Sequence, residues 1–186
     1  MHFQTTAIHG ALIIEAESRS DERGWFARVA CVEEFRARGI DPAMAQTNIA
    51  HTRYAGTVRG LHYQLPPAAE SKLVYCIAGA IYDVAVDVRS DSPTFGEWVG
   101  TQLDADRATA VYVPSGCAHG YQALTDDTRV LYQVGAPYTP NLERGIHHAD
   151  PALAITWPLQ PRYVSDKDRN LPALAAAHDL PFEGTD

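Results

Sequence analysis

Short β-rich segments recur through the middle of this chain at intervals of about 10 residues, separated by Pro, Gly, Asp and Ser. The pattern is clearest in residues 72–89, KLVYCIAGAIYDVAVDVR, where two runs flank Ala78-Gly79-Ala80. In the second run, valines alternate with Asp83, Ala85 and Asp87. This stretch predicts a strand pair joined by a tight turn, and further strands are predicted at 97–103, 110–113, 119–124 and 128–134. Such spacing is typical of an all-β sandwich, jelly roll or barrel.

The two ends of the chain carry weaker signals. In the first half we expect a strand at 7–14, a loop at 18–24, a strand at 25–30 and a helix at 32–38. Prolines interrupt the chain after Pro151, and a short helix is expected at 171–178. A chain of 186 residues is expected to form one domain, spanning 1–186.

Charge and hydropathy exclude several classes of protein. The net charge is −8, which argues against a nucleic-acid partner because such binding depends on many contacts between cations and phosphates. No apolar run reaches the roughly 20 residues needed to cross a bilayer, and the N-terminus has no secretory signal. We therefore expect a cytoplasmic protein with no membrane partner.

Three polar clusters are candidates for chemistry. The first is GTVRGLHYQLPP at 56–67, where an unbroken strand would turn Arg59 and His62 to opposite faces unless Gly60 forms a bulge or turn. The second, VPSGCAHG at 113–120, places His119 on a turn, and the third is the charged run at 165–169. Taken alone, either histidine is equally well explained as a hydrogen-bonded structural residue. The charged run by itself is better explained as a solvated loop than as a functional site.

Taken together, the motifs resemble those of the dTDP-4-dehydrorhamnose 3,5-epimerase family. From about Asp21 to Asp168 the matching segments occur in a consistent order: RGLHYQLPP, KLV, GAIYDVAVDVR, SPTFGEWVG, VPSGCAHGYQ, LYQVGAPYTP, ERGI, DPALAITWP and SDKD. The resemblance implies a cupin-type β-jelly roll barrel with a few short peripheral helices. It also implies a homodimer that exchanges N-terminal strands.

The implied reaction explains why these residue types occur together. In a nucleoside-diphosphate 4-keto-6-deoxy sugar, C3 and C5 flank a ketone, so a positioned base can remove their protons. Inversion requires the proton to return on the opposite face. By resemblance His62 is the base, Asp168 its partner carboxylate, Tyr132 the opposing acid, and Lys72 the cation that stabilises the C4 oxygen. The resemblance implies no cofactor and no metal.

Other residues are expected to bind the substrate. Arg23 and Arg59 resemble the family's diphosphate contacts, and His119 is expected to line the sugar site. Tyr138 resembles the residue that stacks on the nucleotide base. The remaining predicted substrate contacts are Gln46, Asn48, Glu143 and Lys167.

Two departures and two rival functions stay open. Arg28 stands where many members have a glutamate, and 46–59 is one residue longer than usual. Both features resemble a subgroup in which some members invert only C3.

A metal-dependent cupin would use His62, Glu70 and His119, with Gln64 at the position of a further histidine. A non-catalytic cupin that binds sugar nucleotides is the second rival, because one fold hosts many functions.

Overall fold

A computed structural model describes residues 1–41, 44–177 and 179–181. The strands are β1 His2–Thr5, β2 Leu12–Glu15, β3 Ser18–Asp21, β4 Gly24–Ala27, β5 Gln46–Thr52, β6 Val58–Gln64, β7 Lys72–Ala78, β8 Ala80–Asp87, β9 Trp98–Asp104, β10 Thr109–Val113, β11 Cys117–Ala123, β12 Thr128–Val134 and β13 Glu143–Gly145. The helices are α1 Val32–Arg36 and α2 Asp166–Arg169, with 3-10 turns at Pro140–Leu142 and Leu174–Ala176.

Two antiparallel sheets form the body of the fold. The first has the order β1-β2-β10-β7-β12-β5, and the second has the order β13-β6-β11-β8-β9. Strands β3 and β4 form a separate hairpin. This architecture confirms the expected all-β, cupin-type jelly-roll barrel with a few short peripheral helices.

The segment 72–89 contains the two expected strands, but the prediction that they pair with each other is wrong. Strand β7 bonds to β10 and β12 in the first sheet, whereas β8 bonds to β11 and β9 in the second. Gly79 adopts a φ of +74° where the chain crosses between the sheets, and a Cβ there would clash with the hydroxyl oxygen of Thr125. The tight turn thus carries the chain from one sheet to the other. Alternation identifies a strand but not its partner, so the sequence pattern did not distinguish the two cases.

Other predicted elements differ mainly at the ends of the chain. Of the strand expected at 7–14, only residues 12–14 are strand, in β2, and residues 6–11 form the turn between β1 and β2. The loop expected at 18–24 is largely the β3–β4 hairpin. The charged run at 165–169 contains α2, not a loop. The C-terminal helix is reduced to a 3-10 turn at Leu174–Ala176, and His178 lies outside the described residues.

Buried apolar side chains form three clusters. A cluster around Val74, Ile81 and Val111 packs between the sheets. A second cluster seals the outer face of the second sheet with C-terminal residues such as Ile146 and Leu153. The third packs α1 against the first sheet. Because the apolar packing between the sheets is incomplete, a cavity opens there.

Candidate active site

A cavity of about 840 Å³ lies between the two sheets. The first sheet contributes residues of β5, β7 and β12 to its walls, and the second contributes residues of β6 and β11. The loop around Tyr138 and the α2 region complete the lining. Eleven of the predicted site residues line this cavity: Gln46, Asn48, Arg59, His62, Lys72, His119, Tyr132, Tyr138, Glu143, Lys167 and Asp168.

A bulge in β6 brings Arg59 and His62 to the same cavity. Opposite β11, His62 pairs with His119 and Arg59 pairs with Tyr121, so three steps along β6 match two along β11. Gly60 lies within the bulge with a φ of +110°, and a Cβ there would lie 2.7 Å from the Cα of Gly120. The irregularity expected at Gly60 is confirmed, and it corrects the odd spacing of the two side chains.

His62 forms a close pair with Asp168 from α2. The Nε2 of His62 lies 2.7 Å from a carboxylate oxygen of Asp168, and the Gly60 N–H donates to the other oxygen at 3.3 Å. Ser165 caps α2 by accepting the Asp168 N–H at 3.1 Å. Burial alone would raise the pKa of Asp168, but the His62 and Gly60 interactions hold it below its ordinary value. The carboxylate therefore stays ionised beside a ring whose Nδ1 remains available for a proton.

Tyr132 and Lys72 stand on the opposite wall, in the first sheet. Burial raises the pKa of Tyr132 above its ordinary value, so the phenol keeps its proton. Lys72 is buried, and its Nζ lies 2.5 Å from a carboxylate oxygen of Glu70. A proton donor and a cation thus face the His62–Asp168 pair across the cavity.

Two further hydrogen-bonded groups fix polar side chains in the walls. The Nε2 of His119 lies 2.8 Å from a carboxylate oxygen of the buried Asp83. The Nε of Arg59 donates to the hydroxyl of Thr52 at 3.1 Å, and that hydroxyl lies 2.9 Å from the phenol oxygen of Tyr121. These contacts hold an imidazole and a guanidinium at the cavity.

A third group links Tyr138 to neighbouring charged residues. The Tyr138 hydroxyl donates to Glu143 at 2.7 Å, and Lys167 donates to the same oxygen at 2.6 Å. Burial would raise the pKa of Glu143, but its bonds to Lys167 and Tyr138 lower it. The Tyr138 N–H donates to the side chain of Gln46 at 2.6 Å. Tyr138 is 56% exposed, so part of its side chain is accessible to a ligand.

Arg23 is the one predicted site residue that this chain does not bring to the cavity. It lies on the turn of the β3–β4 hairpin, where its guanidinium pairs with Asp21 at 2.5 Å. Arg28, the departure noted in the sequence, lies just after β4, and its guanidinium is 3.9 Å from Glu34.

The structure also adds cavity residues that the sequence did not predict as substrate contacts. Glu70, Tyr121, Tyr163 and Arg169 line the cavity, and Asp83 supports His119 from behind. Asp83 alone had a usable signal, since an acidic residue alternates there with valines in a buried strand. The positions of the other four at the cavity depend on the paths of loops and on strand pairing, which the sequence pattern does not give.

The three side chains that a metal-dependent cupin would use as ligands are each hydrogen-bonded to another charged residue. His62 pairs with Asp168, His119 with Asp83 and Glu70 with Lys72. Among the described residues, no group of three His, Cys, Asp or Glu side chains has the spacing to hold a metal ion. None of the helices in those residues is long and apolar enough to span a membrane.

Comparison with known proteins identifies relatives along nearly the whole chain. The sequence profile described as dTDP-4-dehydrorhamnose 3,5-epimerase matches residues 5–176. A dTDP-4-dehydrorhamnose 3,5-epimerase from Sinorhizobium fredii is 43% identical over 175 residues, covering 94% of this chain and 90% of the relative. A dTDP-4-dehydro-6-deoxyglucose 3-epimerase from Streptomyces bikiniensis is 41% identical over 181 residues, covering 94% of this chain and 89% of the relative.

A solved structure extends the likeness to three dimensions. The epimerase from Legionella pneumophila, in complex with dTDP-4-keto-L-rhamnose, matches with a TM-score of 0.91 and 36% identity, covering 98% of each chain. Both the sequence and the fold of this protein are therefore those of one group of enzymes. The chain belongs to the dTDP-4-dehydrorhamnose 3,5-epimerase family.

Proposed function

We propose that this protein inverts C3 and C5 of a dTDP-4-keto-6-deoxyhexose by removing each proton from one face and returning a proton to the other. The observation that carries the proposal is the placement of His62 and Tyr132. His62 lies on the second sheet and Tyr132 on the first, and both line the same cavity. A sugar bound between the sheets would present opposite faces to the two groups.

The proton chemistry follows from this arrangement. The C4 ketone acidifies the protons at C3 and C5, and His62 accepts one of them on Nδ1. Asp168 holds Nε2 and stabilises the resulting imidazolium. Tyr132 then donates its phenolic proton to the enolate carbon from the other wall. No electrons are gained or lost overall, so the reaction requires no redox cofactor.

Lys72 supplies the charge that the intermediate needs. As the proton leaves, negative charge collects on the C4 oxygen, and a fixed ammonium stabilises it best in a site withdrawn from water. Lys72 is buried in the cavity wall, which meets that requirement.

The remaining cavity residues bind the rest of the substrate in this proposal. Arg59 is fixed by Thr52 and suits one phosphate of the diphosphate, and His119 lines the sugar subsite. The open ring of Tyr138 stacks on the base. The other proposed nucleotide contacts also line the cavity, and they are Gln46, Asn48, Glu143 and Lys167.

We further propose that the chain acts as a single domain and as a cytoplasmic homodimer that exchanges N-terminal strands. The β3–β4 hairpin supports the proposed dimer, because two of its large apolar residues, Trp25 and Phe26, are 50% and 73% exposed. Burial of these rings against a second copy would stabilise the dimer. The same exchange would bring Arg23 of the partner subunit to the cavity as a diphosphate contact.

The test is proton exchange in deuterated water. The protein is incubated with dTDP-4-keto-6-deoxyglucose, and deuterium at C3 and C5 is followed by NMR. Deuterium at both carbons with inversion is the expected result. Deuterium at C3 alone would make this a C3 epimerase, as the relative from Streptomyces bikiniensis is named. Deuterium at neither carbon would contradict the proposal for this substrate.

A further inference from the structure

Glu70 is a buried carboxylate in the cavity wall to which the proposed reaction gives no task. It lies on the segment between β6 and β7, and its side chain is only 9% exposed. Lys72 Nζ donates to one carboxylate oxygen at 2.5 Å, and Gln64 Nε2 donates to the other. Both oxygens of Glu70 are thus held by donors, and one of those donors is the proposed oxyanion stabiliser.

Gln64 fixes this carboxylate to the surrounding backbone. It is 3% exposed, and the two hydrogens on its Nε2 are shared among Glu70 and the carbonyl oxygens of Ala68, at 2.9 Å, and Pro137, at 3.2 Å. Its Oε1 accepts the Thr139 N–H at 2.5 Å. Gln64 therefore joins β6 to the segment that precedes β7 and to the loop that carries Tyr138. A side chain with this many contacts has one orientation, and it fixes that of Glu70.

Lys72 needs such a partner for physical reasons. A lysine ammonium is a point charge on a flexible four-carbon stem, so the backbone alone does not fix its position. The charge is also withdrawn from water, which is costly unless an opposite charge lies close by. Glu70 meets both needs with one hydrogen bond. Within the described residues the Lys72 ammonium donates to Glu70 alone, which leaves two of its three N–H donors for a ligand.

We propose that Glu70 is a positioning residue that holds the Lys72 ammonium toward the C4 oxygen, with Gln64 as its support. The inference rests on the proposed function, because it assigns to Glu70 a role in stabilising the same enolate. Glu70 acts through Lys72 and does not itself touch the reacting atoms. Its removal should therefore lower turnover and leave nucleotide binding intact.

The test compares Glu70→Ala and Glu70→Gln with the control Glu97→Gln, which removes an exposed carboxylate outside the cavity. The assay measures kcat and KM for C3 exchange and, separately, the Kd of dTDP. Displacing a catalytic group by about 1 Å costs up to ~10²-fold, so Glu70→Ala should lower kcat roughly 10–100-fold. Glu70→Gln keeps an acceptor for Lys72 and should lose less. The Kd of dTDP should stay within about twofold, and the control should match the wild type.

A second cycle on the Lys72→Met background separates positioning from direct contact. If Glu70 acts through Lys72, adding Glu70→Ala to that variant should change kcat by less than about twofold. A full additional loss would contradict the inference, because Glu70 would then act on the substrate itself. Should Glu70→Ala fail to fold, the comparison of Glu70→Gln with Glu97→Gln, alone and with Lys72→Met, decides the question.

The two proposals fail in different ways. Wild-type exchange that neither Glu70 variant alters would contradict the positioning role and leave the proposed function standing. A folded wild-type protein with no exchange at C3 or C5 would contradict the proposed function, and the positioning role with it.

Discussion

Replacement of Asp168 by asparagine should lower turnover while leaving the shape of the site intact. Hydrogen bonds to a charged group contribute about 1.5–3 kcal/mol and neutral ones about 0.5–1.5 kcal/mol. Removing the charge 2.7 Å from His62 Nε2 therefore withdraws roughly 1–1.5 kcal/mol from the imidazolium. That difference corresponds to about a tenfold loss in kcat.

The backbone N–H of Gly60 adds a second effect. It donates to the other oxygen of Asp168 at 3.3 Å, so an asparagine that keeps this bond turns its NH₂ group toward His62. The ring is then protonated on Nδ1 and cannot accept the substrate proton. A wrong tautomer of this kind costs about 10⁴ in kcat in a Ser-His-Asp triad. The expected loss for Asp168→Asn is thus at least about tenfold and at most about 10⁴-fold.

The assay is single-substrate kinetics of C3 exchange, with KM expected to change less than about threefold because the substitution acts on the charged intermediate. Asp166→Asn is the matched control, since Asp166 lies on the same helix, is exposed and pairs only with Arg169 in the ion pairs of the described residues. A folded Asp168→Asn protein with wild-type kcat would refute the reasoning.

Two further predictions concern stability. Gly60→Ala should lower the unfolding free energy by about 1–3 kcal/mol, because the added Cβ meets Gly120 and the φ is unfavourable; unchanged urea denaturation would contradict this. Acid should destabilise the wild type through Asp87: burial raises its pKa, but bonds to Arg89 and Ser92 lower it below its ordinary value. The folded pKa is thus below the unfolded one, so this stabilisation is present above roughly pH 4 and is lost as pH falls. Asp87→Asn should flatten the decline of the urea midpoint below pH 5; an equally steep decline would count against it.

The strands that could be predicted are rich in β-branched and other apolar residues along their length. Strand β12 was predicted with its observed bounds, and the two runs around Gly79 were both found. Strand β5 was missed because its inward positions, including Gln46 and Asn48, line a polar cavity, while Ile49 points outward and is 64% exposed. Polar residues at the inward positions of β5 leave no apolar alternation there, so periodicity does not reveal this strand.

Much of the candidate site could be predicted, but its internal contacts could not. The order of the motifs along the chain led to the hypothesis that His62, Tyr132 and Asp168 share one catalytic site. In the structure all three line one cavity. Their arrangement on two walls depends on strand order, which alternation leaves undetermined. Glu70 and Lys72 are two residues apart and can share one face of an extended chain. The contacts of Gln64 with Glu70 and Ala68 depend on a loop path that no spacing rule encodes. Arg23 does not line the cavity, because the β3–β4 hairpin that carries it is hydrogen-bonded to neither of the two sheets.

The most direct test of a base and an acid on opposite walls is the Tyr132→Phe variant, with exchange and inversion measured in the same NMR experiment. The variant removes only the phenolic hydroxyl, so His62 should still exchange the C3 proton with deuterated solvent. Inversion should fall by roughly 10²–10⁴-fold, the usual contribution of a general acid. Deuterium would then appear at C3 with the original configuration retained. Parallel loss of exchange and inversion, or inversion at the wild-type rate, would contradict the assignment of Tyr132 as the acid.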